Sequence, residues 1–242
     1  MQDQECDYRI RMIRLYGGRY NATAPCTSQA GCVEPASLGG MEQFQAAVKA
    51  QPGWQSFTDS AQPGGIAWGK VVAAGHSQGA GMALLVGQQH ALAQVVQLAG
   101  VDDISGATGR AAPWVRQNGS GATAVSRVWG LGNVFGFCCE HWHATWPSIG
   151  MAGPMVSIDG GGGGGGQPFG GSRQFCSRAN SSGISGHGMP LQYAGYMYAD
   201  VWTLMLTGQP PHPDERKIRS SAPREEGEEG EEGACACPPA AV

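Results

Sequence analysis

Charge is scarce in this chain. Asp, Glu, Lys and Arg together make up 14% of its 242 residues, and no cluster of Lys and Arg builds an electrostatic footprint for nucleic acid or an anionic bilayer. Arg9, Arg11, Arg14 and Arg19 make only the first segment mildly basic. Long apolar runs are missing too. None reaches the ~18 residues of a membrane span, so no such span is expected. Met1 to Tyr8 is polar and acidic rather than a basic patch followed by an apolar stretch, and no signal peptide is visible there.

Glycine and proline are plentiful, at 40 and 15 residues, which makes the chain loop-heavy. Even so, 41% of positions are hydrophobic, enough for one domain with a sizeable core. The net charge of -4 sits in the tail. Asp214, Glu215, Glu225, Glu226, Glu228, Glu229, Glu231 and Glu232 outnumber Arg216, Lys217, Arg219 and Arg224 there, and the rest of the chain is neutral.

Read along the chain, Ile10, Met12, Ile13 and Leu15 suggest a strand ending at Gly17-Gly18. Met41 to Ala50 has helical spacing and stops before Pro52-Gly53. Val71 to Ala74 is a continuous apolar run of the kind a strand buried on both faces requires, followed by a good helix former, Gln78 to Ala93, and a second apolar run, Val95 to Ala99. Strand, helix and strand within about 30 residues form a βαβ unit and imply a parallel sheet. Ser126 to Leu131 and Pro154 to Ile158 read as further strands, separated by a segment with Trp142 and Trp146 that suits a helix, and Tyr193 to Leu206 as a last helix. The fold class expected is therefore α/β, a mostly parallel sheet flanked by helices. Gly160 to Gly166 is a flexible glycine insertion, and residues 209 to 242 are a disordered Pro/Glu/Gly-rich tail lacking the apolar content to fold.

Gly75-His76-Ser77-Gln78-Gly79 matches G-x-S-x-G, the turn that presents a serine nucleophile between a strand and a helix. The pattern alone is weakly specific. The strand before it, the helix after it and Gly81 one turn on, where backbone would pack close to the sheet, supply the context the chemistry needs. With its Trp-led strand, this Gly-His-Ser-Gln-Gly-Ala-Gly run resembles the α/β-hydrolase superfamily of serine esterases and lipases. The likeness runs over about residues 9 to 208. It includes Leu15-Tyr16 to Asn21 and Cys26, Gly53-Trp54, Trp68, Gly100 to Asp103, Trp114, Trp146 to Gly150, Pro154 to Asp159 and Val201-Trp202, as in one poorly characterised subgroup.

The resemblance implies acyl transfer from a small-molecule ester to Ser77, with a histidine as general base and a carboxylate orienting it. His187, in Ser185-Gly186-His187-Gly188, matches the base. The loop after Arg127 to Leu131, where the family places its acid, offers only Glu140; Asp102 and Asp103, after the Val95 to Ala99 strand, are the alternative, and a turn or capping role for them is the bland one. One oxyanion donor would be the amide of Gln78. The second, from an upstream His-Gly or Pro-Gly turn, is not visible, and Gly17-Gly18 is a poor substitute. Only about 60 ordered residues precede Trp68 where the family places several strands, so the resemblance implies a domain lacking its first strands. The competing reading is thus a catalytically impaired or inactive hydrolase-fold protein acting as a binding module.

No metal or cofactor is called for. Neighbouring side chains in Cys138-Cys139-Glu140-His141-Trp142-His143 do not converge on one ion, Cys235-Ala-Cys237 is a weak metal pattern, and no Lys-Ser/Thr follows the glycine run to make a phosphate loop. Eight cysteines, with Cys26 and Cys32 close together, permit disulfides, and Asn21, Asn118 and Asn180 lie in N-x-S/T sequons. Both features lean towards a secretory compartment and a glycoprotein. The sequence sets no oligomeric state.

Overall fold

A computed structural model of the chain describes residues 2–17, 39–105, 108–116, 122–136, 139–159, 168–179, 185–192, 198–210 and 235–237. The glycine run, the three sequons, Cys26, Cys32, Cys138, His212 and most of the tail lie outside them.

Five strands form an all-parallel sheet: β1 (Val72–His76), β2 (Gln94–Leu98), β3 (Val128–Asn133), β4 (Met155–Ser157) and β5 (Gln174–Ser177). Their spatial order is β1-β2-β3-β5-β4. The register of the first pair sets Gly75 opposite Gln97 and His76 opposite Leu98, and that of the second sets Leu98 opposite Leu131. Helices cover both faces, so strands that read as unbroken apolar runs are what the arrangement requires. In β2 successive residues part company accordingly. Val95 belongs to a core cluster that also holds buried residues of α1 (Gln2–Tyr16), α2 (Gly40–Ala50), α3 (Gln78–Gln89) and α4 (Cys139–Ile149), while Val96 and Leu98 belong to a second one with Val201, Leu204 and Met205 of α6 (Ala199–Thr207). A short α5 (Met189–Gln192) follows the last strand.

The segment expected to be a first strand is instead α1. Its buried residues are Ile10, Arg11, Met12 and Leu15, on the side turned to the core. Arg11 belongs to that side because it is ion-paired, and as a charged residue it hid the helical period from hydropathy. β5 has no counterpart in the sequence reading. Its two ends are polar, yet it is buried along its length, because those polar groups are satisfied: the Gln174 amide donates to the carbonyls of Met151 and Gly153 at 3.0 and 2.8 Å, and the Ser177 hydroxyl donates to Asp159.

α4 lies directly on β3. A Cβ at Gly130 or Gly132 would collide with the indole rings of Trp146 and Trp142, so glycine at these two positions lets both tryptophans stack on the strand, and on each other at 4.8 Å. From there Trp146 donates its indole N–H to the carbonyl of Gly100 at 2.7 Å and Thr145 donates to that of Val101 at 2.6 Å. These bonds fix the loop that carries Asp102 and Asp103.

Two tail cysteines are tied to the body. Cys139 at the start of α4 is disulfide-bonded to Cys237, and Cys176 of β5 to Cys235. At these two residues covalent bonds add to burial, since Cys235 lies in the core and Cys237 packs against it.

Candidate active site

The site begins where β1 ends. Ser77 joins the strand to α3 with φ 57° and ψ -123°, a positive φ that costs a non-glycine residue of order 1–3 kcal/mol and persists only when its surroundings impose it. They do. The Ser77 amide donates to Leu98 at 2.8 Å, prolonging the β1–β2 ladder, and the Ser77 carbonyl accepts from Ala80 at 2.9 Å, starting the helix. A Cβ at Gly75 would run into the backbone of Gly79, so the turn closes only around glycine there. At Gly79 itself a Cβ would meet nothing within 4 Å. The Ser77 hydroxyl does not cap the helix, and the Gln78 amide, in the first turn of α3, has no intrahelical acceptor.

Gly81 differs from its expected role. A Cβ there would meet the Arg11 side chain, with Nε at 2.6 Å, rather than the sheet. Arg11 crosses α3 at this gap, donates from Nη1 to Asp103 Oδ1 at 2.7 Å, and approaches Asp102 Oδ1 at 3.8 Å. Farther along α1, Arg14 donates to the side-chain oxygen of Gln78. Thus α1 lies over the start of α3 and touches the residue that follows Ser77.

His187 comes to the elbow from the far side of the sheet order. Its turn is closed by the Ser185 carbonyl, which accepts from Gly188 and Met189, and it rests on the loop after β3, since a Cβ at Gly136 would lie 3.4 Å from the His187 backbone. His76 Nε2 donates to the His187 carbonyl at 2.7 Å, and the two rings sit 4.7 Å apart. His187 therefore stands beside the residue that precedes Ser77. Burial lowers its pKa from the ordinary 6.5, the neighbouring His76 lowers it further, and the Asp102 carboxylate opposes both.

Of the three candidate acids, Asp102 is the one whose charge acts on His187. Its side chain is 32% exposed, against 3% for Asp103. Asp103 is committed to Arg11, and its carbonyl accepts from Ala112 at 2.8 Å. Glu140 is exposed in the first turn of α4, a position that complements the helix dipole. What the loop after β3 brings to His187 is Gly136, with no carboxylate. Two clefts lie away from Ser77, one lined by Leu84, Gly87 and Val95 and the other by Asp59, Trp68 and Arg127.

Comparison of the chain with protein-family models, with curated proteins and with solved structures finds no match.

Proposed function

We propose that the protein is a serine hydrolase acting on a small carboxylic ester, with Ser77 as nucleophile, His187 as general base and Asp102 as orienting acid. The observation that carries the reading is the strained Ser77 turn with His187 held beside it through His76. In this scheme Ser77 Oγ attacks the acyl carbonyl while His187 accepts its proton. The tetrahedral oxyanion takes a hydrogen bond from the Gln78 amide, and the alcohol leaves with the proton from His187. Water, activated by the same histidine, then releases the acid. A parallel sheet with its serine on the strand-to-helix turn of β1 and α3 is compatible with the α/β-hydrolase resemblance.

A second reading, a slow or inactive hydrolase-fold binding module, is favoured by one feature. Upstream of β1 the described residues form α1 and α2, and no strand ending in a glycine turn supplies a second oxyanion donor. Loss of one such donor costs on the order of 10²- to 10³-fold in rate. The two readings separate on one experiment. A fluorophosphonate probe labels folded wild-type protein and fails to label Ser77→Ala under the hydrolase reading; absence of labelling in wild type favours the binding module.

A further inference from the structure

Outside the serine site, a second cluster of reactive side chains gathers where the tail meets α4. Cys139 and His143 are one helical turn apart and share a face of α4. Cys237 joins them from 98 residues away, and one ligand atom from each of the three lies within 4.8 Å of the others. Immediate neighbours in Cys138 to His143 do not converge on one ion by themselves; the returning tail brings Cys237 to them.

His143 is arranged as metal-binding imidazoles are. One ring nitrogen hydrogen-bonds the Cys235 main chain, while Nε2 is buried and has no hydrogen-bond partner among the described residues. Its ring also stacks on Trp142 at 4.7 Å, which holds its orientation. A histidine that donates one N–H to a carbonyl presents its other nitrogen as a lone pair. A buried, unpaired ring nitrogen is otherwise a cost to the fold, and a ring nitrogen of His143 lies within 4.8 Å of both sulfurs of the Cys139–Cys237 disulfide.

We infer that Cys139, His143 and Cys237 form a redox-gated site for a thiophilic divalent cation of the Zn²⁺ class. In the oxidised protein the two sulfurs are spent on each other and the site is closed. A dithiol reductant opens it: the Cys139–Cys237 S–S bond takes two electrons and two protons, giving two thiols, and the reductant becomes its own disulfide. The cation then displaces both thiol protons and binds two thiolates and His143 Nε2, with water in the fourth position. Tetrahedral zinc holds thiolate sulfurs at ~2.3 Å and imidazole nitrogen at ~2.0–2.1 Å, which places the sulfurs roughly 3.8 Å apart. Reduction frees them to separate to that distance, and the soft donor set selects Zn²⁺ over Mg²⁺ or Ca²⁺.

The test uses the full chain, oxidised or reduced with a phosphine, exposed to Zn²⁺ and freed of excess metal. Bound zinc is read by release to a chromophoric chelator, and Co²⁺ in its place reports thiolate ligation by its charge-transfer absorption. The reduced protein is expected to retain about one equivalent that the oxidised protein does not. His143→Ala, which leaves the disulfide intact before reduction, is expected to weaken that binding roughly tenfold or more, and Cys237→Ser to weaken it likewise. Equal zinc retention in oxidised and reduced protein overturns the inference. So does unchanged affinity in His143→Ala, which would assign the metal to other reduced cysteines.

Discussion

At the scale of single residues, the question is which carboxylate serves His187. Glu140 and Asp102 were both legible as candidates, and Asp103 beside them, but sequence spacing offers no means of ranking residues that meet only through folding. Burial does rank them. Asp103 is sunk under Arg11, Glu140 is exposed on α4, and the Asp102 charge reaches the imidazole. If Asp102 orients the base, Asp102→Asn lowers ester turnover on the order of 10²-fold or more while Glu140→Gln leaves it within a factor of about two. Steady-state rates on a short-chain ester decide the matter, and the reverse ranking would return the role to Glu140. The pH profile adds an independent readout. A base must be neutral to accept the serine proton, so activity is lost as pH falls through the His187 pKa in the folded protein. That pKa lies below 6.5 because burial and His76 outweigh Asp102. The acid limb of kcat/KM is therefore expected below pH 6.5. In the residual activity of Asp102→Asn it moves lower still, because the Asp102 charge that raises the pKa is gone. A limb above pH 6.5 in wild type would contradict this assignment of the base.

At the scale of elements, α1 couples the front of the chain to the site. Arg11 and Asp103 are both almost wholly buried, at 4% and 3% exposure of their side chains. A pair so desolvated contributes little net stability when intact, but removing one partner strands the other charge, typically at 3–5 kcal/mol. Arg11→Met is therefore expected to lower the unfolding free energy by about 3 kcal/mol or more in denaturant titrations, and Arg11→Met with Asp103→Leu to recover most of it. If the double variant is as unstable as the single one, the pair matters through packing rather than charge. This pair also explains what could be read in advance. The βαβ unit from β1 through β2, the helix α4 with its tryptophans, and the elbow at Ser77 were all visible, because each rests on apolar periodicity or a short-range turn. α1 and β5 were not. In α1 an arginine occupies the buried face, and in β5 Gln174 and Ser177 lie in the core with their hydrogen bonds met by residues distant in sequence. Elements whose burial depends on specific polar partners leave no hydropathy signal.

At the scale of the whole molecule, the tail changes meaning. Its composition marks it as unable to fold, yet Cys235 and Cys237 close loops of 59 and 98 residues onto β5 and α4. In the chain-entropy account each closure is worth about 4–5 kcal/mol, because the cross-linked unfolded chain has lost that freedom. Nothing in local sequence could reveal this, because cysteine spacing does not encode connectivity and four cysteines already permit three pairings. One bond reaches the buried strand β5 and the other the helix stacked on its neighbour β3, so together they tie the tail segment to adjacent elements of the sheet's core. Replacing both tail cysteines, Cys235→Ala with Cys237→Ala, is expected to lower the melting temperature by roughly 10 °C or more, given about 2–4 °C per kcal/mol for a chain of this size. Reductant should then have little further effect on the variant while lowering the wild type to a similar value. Equal melting temperatures for the oxidised wild type and the variant would make the tail an appendage rather than a staple. They would also detach the stability of the fold from the redox state of the cysteines around His143.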